Sequence, residues 1–321
     1  MIERELSVDH GTHRLEGTLC LPDSPIEDSG YAQFTSPVVL MVHGSGPLDR
    51  NENVRGQTLN AFNAIAHYLA TRGVASLRYD KRGCGASSGD FYAAGHYDLV
   101  DDAASWITVL SEQPECDSSE IYVLGHSEGT AIAPQVYLRQ PQVAGLVLLC
   151  PFVENLETVL QRQASILEAE LASRRGFIGA ISNWMMRRLG ADAQKQERVF
   201  AKIRASTADT IRVRLHKVPA RWYRELFALD LAALYKRVSC PVLILGGEKD
   251  LQCNPQDVPV IAALVNGEVT AEVVPNLTHL LRLEPETPSL VGARKLLSQP
   301  LEPVVIEAVS IWIEEQVAGR R

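Results

Sequence analysis

The sequence contains no uninterrupted apolar run approaching the ~18 residues that a membrane-spanning helix requires. Its first six residues, Met1 to Leu6, carry charges from the third position onward and lack the apolar centre of a signal peptide. We therefore expect a protein with no membrane span that resides in the cytoplasm.

Positive charge is also scarce. The chain carries 31 Lys and Arg against 39 Asp and Glu, a net charge of -8. Nucleic-acid binding relies on a concentrated positive surface that releases phosphate counterions, and no helix-turn-helix or base-stacking motif accompanies this composition. The sequence therefore predicts no nucleic-acid partner.

The sequence has few cysteines, and they are far apart along the chain. The six cysteines form no Cys-x-x-Cys pair, and several lie in or beside apolar runs, where a free thiol behaves as a small hydrophobe. No histidine cluster with the spacing of metal ligands accompanies them. We expect neither disulfides nor a metal site.

What the sequence does contain is the alternation of an α/β protein. Residues 3–10 and 13–21 alternate polar with apolar side chains and predict an antiparallel hairpin, with His10 and His13 facing solvent, followed by a loop at 22–36. From Pro37, short apolar runs alternate with amphipathic stretches, which is typical of a parallel sheet covered on both faces. The predicted strands are 38–43, 74–79, 120–124, 143–149, 241–246 and 269–274, and the predicted helices are 58–72, 99–112, 130–139 and 304–316.

Residues 153–236 break this alternation, because their apolar residues keep helical spacing and no strand-like run interrupts them. We expect a core formed by residues 1–152 and 237–321 with a helical lid inserted at 153–236. Residues 154–235 hold eleven arginines and three lysines against nine acidic residues. These basic side chains are either the solvated faces of amphipathic helices or a surface that attracts anionic substrates.

The stretch Gly125-His126-Ser127-Glu128-Gly129 lies between an apolar strand and a helix-compatible run. A serine flanked by glycines two residues away on each side is the sequence form of a nucleophile elbow. The turn is so tight that a side chain at position 125 or 129 would collide with a neighbouring strand or helix. Ser127 is therefore the predicted nucleophile, held at a strained backbone angle.

A serine nucleophile needs a base and a carboxylate that orients the base. His279 follows the last core strand, and Asp250 follows the strand that ends near Gly247, which gives the chain order nucleophile, acid, base. Glu248 is the alternative carboxylate. His43 and His126 precede tight turns, and we expect them to be packed and hydrogen-bonded rather than catalytic.

Two backbone N–H groups should form the oxyanion hole. One belongs to Glu128, the residue after the nucleophile. The other lies in the glycine-rich loop that begins at His43, and we assign it to Ser45, with Gly46 as the alternative. The turn at residues 80–83 is interpreted as a structural support of this loop.

These residues, together with several longer motifs, resemble the α/β-hydrolase superfamily and, more narrowly, bacterial serine carboxylesterases of the EstD type. The motifs are His43-Gly44-Ser45-Gly46-Pro47-x-Asp49-Arg50-Asn51-x-Asn53, Tyr79-Asp80-Lys81-Arg82-Gly83-Cys84-Gly85, Arg221-Trp222-Tyr223-Arg224, Lys249-Asp250-Leu251-Gln252 and Asn276-x-x-His279-Leu280. The resemblance spans residues 37–321. It implies an α/β-hydrolase fold and hydrolysis of esters with short acyl chains, without metal or cofactor.

Two further hypotheses concern the surroundings of the elbow. A buried carboxylate at Glu128 needs a partner, and we expect Arg50 to pair with it and so support the oxyanion donor at Ser45. Trp222, Tyr223 and Trp184 are candidates to line an acyl pocket.

The sequence thus predicts a serine esterase that acts on a small-molecule ester through an acyl-enzyme on Ser127. A thioesterase, an acyltransferase and a serine peptidase use the same three residues and remain alternatives, as does a non-catalytic ligand receptor built on the same fold. The oligomeric state stays open, and a homo-oligomer is compatible with the apolar residues of the lid.

Overall fold

An antiparallel hairpin opens the chain, as predicted. Strands β1 (Ile2–His10) and β2 (His13–Leu21) pair along their whole length. His10 is half-buried, and the prediction that His13 faces solvent is wrong: it is 9 % exposed. Its Nε2 lies 3.0 Å from Asp102 Oδ1, because a helix covers this face of the hairpin. The computed structural model describes residues 1–23, 35–173 and 193–320, so most of the predicted loop at 22–36 lies outside the described residues.

The central sheet is mostly parallel, as the apolar runs predict. Besides β1 and β2, its described strands are β3 (Ser36–Val42), β4 (Ala75–Tyr79), β5 (Cys116–His126), β6 (Val143–Leu149), β9 (Val242–Gly247) and β10 (Val269–Val274). These eight strands follow the order β1-β2-β4-β3-β5-β6-β9-β10. The pairs β1-β2 and β2-β4 are antiparallel, and the other five pairs are parallel.

Helices cover both faces of this sheet and bury two apolar layers. On one face, Val39 and Met41 of β3 pack in a cluster with helices α1 (Ala61–Thr71) and α9 (Pro303–Arg320). On the other face, Val38 and Leu40 pack in a cluster with α2 (His96–Ser111), α3 (Gly129–Arg139) and α8 (Asp257–Leu264). Alternate side chains of one strand thus point to opposite layers, as a sheet buried on both faces requires.

Residues 153–236, the predicted lid insertion and hereafter the inserted segment, lie between β6 and β9. Its described part holds α4 (Leu156–Ser173), α5 (Ala193–Ala205), α6 (Ala220–Ala228) and α7 (Leu231–Tyr235). The expectation that no strand interrupts it is wrong, because β7 (Ile211–Val213) and β8 (His216–Val218) form a short hairpin. A strand of three residues is too short for its alternation to stand out in the sequence. Trp184 lies outside the described residues.

The carboxyl ends of the parallel strands meet at one edge of the sheet. There β3 leads into the loop at 43–53, β5 ends at His126 beside Ser127, and β9 and β10 are followed by Asp250 and His279. Ligand sites of open α/β sheets form at this edge. Among the described helices, none is long and apolar enough to cross a membrane.

Candidate active site

The turn after β5 has the geometry of a nucleophile elbow. Ser127 adopts a φ of 53°, which a non-glycine residue rarely adopts. A Cβ at Gly125 would lie 2.2 Å from the Gly129 carbonyl oxygen, and a Cβ at Gly129 would lie 2.1 Å from the Val42 carbonyl oxygen. Both glycines are therefore required by space, as the sequence predicted, and the turn holds Ser127 at the strand edge.

The three residues predicted as nucleophile, base and acid come together at this edge. The Nε2 atom of His279 lies 3.0 Å from the Ser127 Oγ, and its Nδ1 atom lies 2.7 Å from Asp250 Oδ2. The second oxygen of Asp250 accepts hydrogen bonds from the backbone N–H groups of Gln252 and Cys253, at 2.7 and 2.8 Å. The carboxylate is thus fixed at both oxygens, and it fixes the imidazole in turn.

Glu248, the alternative carboxylate, does not contact the imidazole but binds the turn that precedes His279. Its Oε2 accepts a hydrogen bond from the backbone N–H of Asn276, at 2.8 Å. This contact links the turn after β9 to the turn that carries His279. The carboxylate that faces the imidazole is that of Asp250.

Two backbone N–H groups beside Ser127 are free to bind an oxyanion. In the described parts of the chain, neither the N–H of Ser45 nor that of Glu128 has a hydrogen-bond acceptor. The loop that carries Ser45 runs against the elbow, since a Cβ at Gly44 would lie 3.2 Å from the Ser127 Cβ. Glu128 precedes the first turn of α3, where the helix dipole also favours negative charge.

The expected pairing of Glu128 with Arg50 is wrong. Arg50 Nη2 instead lies 2.8 Å from Asp80 Oδ2, and its Nη1 donates to Thr18 Oγ1 at 2.5 Å. The backbone N–H of Arg50 also donates to Asp80, at 2.7 Å. The guanidinium is therefore turned toward the β2 side of the loop, away from the elbow.

Glu128 is held by three other residues. Lys81 Nζ lies 3.2 Å from its Oε2, Trp222 Nε1 lies 2.5 Å from its Oε1, and His96 Nδ1 lies 3.6 Å from the same oxygen. Burial alone would raise the pKa of Glu128, but the Lys81 ammonium, His96 and the Trp222 indole N–H outweigh it and lower the pKa to about 2. The carboxylate is ionised and neutralised inside the protein.

A second buried carboxylate, Glu52, supports the same loop from the other side. Its Oε1 accepts the backbone N–H of Gly44 at 2.8 Å, and Oε2 lies 2.9 Å from His126 Nδ1. His126 Nε2 lies 3.0 Å from the carbonyl oxygen of His279. Burial by itself disfavours charge on both side chains, but their mutual attraction lowers the pKa of Glu52 and raises that of His126.

His43 and His126 are buried and hydrogen-bonded, as expected. His43 Nε2 contacts the carbonyl oxygen of Tyr79, and its ring packs edge-on against the Tyr79 ring. Sequence reasoning missed Lys81 and His96 as partners of Glu128, and it missed Glu52 altogether. Lys81 gave a usable signal, because a lysine directly after a fully buried strand needs an acceptor within the protein.

A cavity of about 300 Å³ opens onto Ser127. Ser45 and Glu128 lie on its wall, and so do the predicted contacts Trp222 and Tyr223. Most of the remaining wall is apolar and includes Phe91, Phe152, Leu156, Val159, Leu160 and Leu226. The site can therefore place an apolar group next to the hydroxyl.

The described basic residues of the inserted segment are absent from the wall of this cavity. Among the described residues, no Arg or Lys lines it. Arg162 pairs with Glu154 at 3.0 Å, Lys217 pairs with Asp90 at 2.8 Å, and Arg221 pairs with Asp98 at 3.1 Å. These three side chains are partly exposed and ion-paired.

Two groups of buried side chains bring potential metal ligands within 4.8 Å of one another. One consists of His126, Cys150 and His279, and the other of Asp250, Cys253 and His279. Both include His279, whose ring nitrogens already contact Asp250 and Ser127. A metal ion here would compete with the serine for the imidazole, so these residues do not suit a resident metal.

Comparison with known proteins identifies a family and a relative of this chain. The profile of the family described as serine aminopeptidase, S33, matches residues 37–286. Esterase EstD of Thermotoga maritima is 26 % identical over 247 residues, which cover 76 % of this chain and 54 % of that protein. The chain therefore spans about half the length of this relative.

Solved structures share the fold at lower identity. Est1E of Butyrivibrio proteoclasticus with bound ferulic acid superposes with a TM-score of 0.62, at 17 % identity, over 98 % of this chain and 99 % of its own. Proline iminopeptidase of Mycobacterium smegmatis gives a TM-score of 0.55, at 14 % identity, over 99 % of this chain and 100 % of its own. The match over residues 37–286 shows that the chain belongs to the serine aminopeptidase S33 family of α/β hydrolases.

Proposed function

We propose that this protein is a cofactor-independent serine esterase that cleaves carboxylic esters with short, uncharged acyl groups. The observation that carries the proposal is the continuous contact from Ser127 Oγ through His279 to Asp250, at 3.0 and 2.7 Å. The similarity to a protein named as an esterase supports the same activity.

In the acylation half, His279 Nε2 accepts the Ser127 proton while Oγ forms a bond to the acyl carbon. The carbonyl electron pair moves onto oxygen, and the N–H groups of Ser45 and Glu128 stabilise the resulting oxyanion. The oxyanion then re-forms the carbonyl and expels the alcohol, which takes the proton from His279. Asp250 stays ionised throughout and holds the imidazole in the tautomer that carries a proton on Nδ1.

In the deacylation half, water replaces the alcohol. His279 takes a proton from the water, whose oxygen attacks the acyl carbon, and the same two N–H groups stabilise the second oxyanion. Collapse breaks the bond to Ser127 Oγ, which recovers the proton from His279. The carboxylic acid leaves, and the residues of this chain alone complete the cycle.

The volume and the lining of the cavity suit short, uncharged acyl groups. Its volume of about 300 Å³ lies at the lower end of the range of about 300 to 1,000 Å³ found for small-molecule sites. Its described wall is mostly apolar and holds no basic side chain that would favour an anion. We propose that residues 153–236 act as the lid that selects the acyl group, since Leu156, Val159 and Leu226 of this segment form part of the wall.

The family description raises aminopeptidase activity as an alternative. An aminopeptidase must recognise the ammonium group of its substrate, and an unpaired carboxylate in the site is the usual partner for such a cation. Among the described wall residues, Glu128 is the acidic side chain, and it is already paired with Lys81 at 3.2 Å. This pairing favours the ester over the aminoacyl substrate.

The test is hydrolysis of p-nitrophenyl acetate, butyrate, octanoate and palmitate beside alanyl and prolyl p-nitroanilides. We expect the highest kcat/KM for acetate or butyrate, little cleavage of the anilides, and no turnover by Ser127→Ala. Preference for an anilide would contradict the proposal.

Two further measurements separate the remaining alternatives. We expect acetyl-coenzyme A to be a poor substrate and the KM for a neutral ester to be independent of salt, because no described Arg or Lys lines the cavity. A thioesterase would prefer the thioester, and an acyltransferase would make ester product with added alcohols in place of acid. A receptor would bind the esters without turnover.

A further inference from the structure

The Lys81 ammonium contacts the peptide group that carries one proposed oxyanion donor and the side chain of the residue that carries the other. Its Nζ donates to the carbonyl oxygen of Gly44 at 2.5 Å and lies 3.2 Å from Glu128 Oε2. The side chains of Lys81 and Glu128 are 3 % and 4 % exposed. A buried ammonium with these two acceptors has little freedom to move.

The carbonyl of Gly44 and the N–H of Ser45 belong to the same peptide group. A trans peptide is planar, so its C=O and N–H bonds point in opposite directions. A donor that holds the Gly44 oxygen on one side therefore aims the Ser45 N–H to the other side. The positive charge on Lys81 also polarises this peptide, which makes the N–H a stronger donor.

The other end of the contact reaches the second donor. Glu128 supplies its own backbone N–H to the site, and its carboxylate accepts from Lys81. One ammonium thus connects the peptide that carries the first donor to the residue that carries the second. Glu52 completes the support, since it accepts the N–H of Gly44 at 2.8 Å and so fixes the preceding peptide group.

We propose that Lys81 is a positioning residue of the oxyanion hole, which fixes the peptide between Gly44 and Ser45 against Glu128. This inference deepens the proposed esterase function and rests on it. Lys81 does not touch the substrate, because it does not line the cavity. Its effect must appear in the transition state, where the oxyanion forms, rather than in binding of the uncharged ester.

The test is Lys81→Met, which keeps the length of the side chain and removes the ammonium. We expect kcat with p-nitrophenyl butyrate to fall about 10- to 100-fold, less than the loss of a whole oxyanion donor, with KM nearly unchanged. A trifluoromethyl ketone of matching chain length, which forms a tetrahedral adduct, should lose affinity by the same factor. The corresponding methyl ketone, which stays trigonal, should bind as before.

The matched control is Lys217→Met, which removes an exposed lysine of the inserted segment that pairs with Asp90 at 2.8 Å. We expect it to keep the activity and both affinities. If Lys81→Met keeps the wild-type kcat, or loses affinity for both ketones equally, the inference is overturned.

Lys81→Met leaves Glu128 buried without its cation, which by itself threatens folding. The double variant Lys81→Met with Glu128→Gln removes both charges, and we expect it to fold, as judged by its circular dichroism and melting temperature, yet to stay slow. Recovery of the wild-type rate would overturn the inference, because Lys81 would then only neutralise Glu128. Loss of folding in the double variant would also overturn it, because the pair would then serve stability and not the oxyanion hole. Failure of the wild-type protein to hydrolyse any ester would instead count against the proposed function.

Discussion

The indole N–H of Trp222 donates a hydrogen bond of 2.5 Å to the carboxylate of Glu128, the residue that follows Ser127. Trp222 lies on α6 of the inserted segment, whereas Glu128 lies at the elbow of the core. The ring of Trp222 also forms part of the cavity wall. One side chain therefore lines the cavity and completes the set of donors around a buried carboxylate next to Ser127.

We predict that Trp222→Phe, which keeps an aromatic ring but removes this N–H, lowers the free energy of unfolding by about 1.5 to 3 kcal/mol, the value of a hydrogen bond to a charged group. Urea denaturation measures this loss. Ester hydrolysis should fall as well, because Glu128 loses a donor.

The matched control for this substitution is Trp106→Phe. Trp106 is fully buried, and its Nε1 has no hydrogen-bond partner among the described residues. Phe at this position removes an N–H that forms no bond, so its cost should come from lost packing alone and leave hydrolysis intact. Equal loss of hydrolysis in the two variants would contradict a role for the bond to Glu128.

The next prediction concerns the stability of the protein when a glycine of the elbow is replaced. A Cβ at Gly129 would lie 2.1 Å from the carbonyl oxygen of Val42, which belongs to a central strand and cannot move aside. We expect Gly129→Ala to lose several kcal/mol of stability or to fail to fold. Gly319→Ala is the control, since outside its own turn of helix α9 no atom of the described residues lies within 4 Å of the Cβ position. Alanine there should stabilise the protein by about 0.5 to 1 kcal/mol, as thermal melts can show.

The buried imidazole of His43 predicts how the free energy of unfolding changes at acid pH. Burial and the nearby Lys81 ammonium lower its pKa from 6.5 to about 4. The folded protein therefore binds fewer protons than the unfolded chain between these pH values. The stability that the neutral imidazole provides is complete above pH 6.5 and is lost as the pH falls toward 4, by about 3 kcal/mol in total.

The comparison with His43→Phe isolates this effect, because the variant cannot titrate at that position. We expect the difference in unfolding free energy between the wild-type protein and the variant to change by about 3 kcal/mol in favour of the variant as the pH is lowered from 7.5 to 4. Chemical denaturation at several pH values measures it. A difference that stays constant with pH would show that His43 titrates normally.

Local patterns were sufficient to predict most of the core. Strand 269–274 has the predicted bounds, whereas the predicted strand 120–124 extends over Cys116–His126. The additional residues at the start of the strand, Cys116-Asp117-Ser118-Ser119, are mostly polar. Cys116 pairs with Ser36, and the register then shifts before Val38 pairs with Ile121. Backbone pairing of this kind leaves no hydrophobic pattern in the sequence.

The site was predictable in its residue types but not in its choice of partners. Ser127, Asp250 and His279 could be selected because chain order and strand ends place them at one edge of the sheet. The partner of Glu128 could not, because Arg50 and Lys81 are both cations near the same loop, and their directions depend on the packed structure. His13 shows the same limit, since its partner Asp102 is 89 residues away on a helix that covers the hairpin.

The central claim, that Ser127 is a nucleophile activated by His279, is tested most directly with a fluorophosphonate followed by mass spectrometry. We predict one covalent adduct per chain of the wild-type protein, located on the peptide that contains Ser127. Ser127→Ala should gain no adduct, and His279→Ala should react far more slowly. A folded wild-type protein that forms no adduct at Ser127, or whose labelling rate does not depend on His279, would contradict the account.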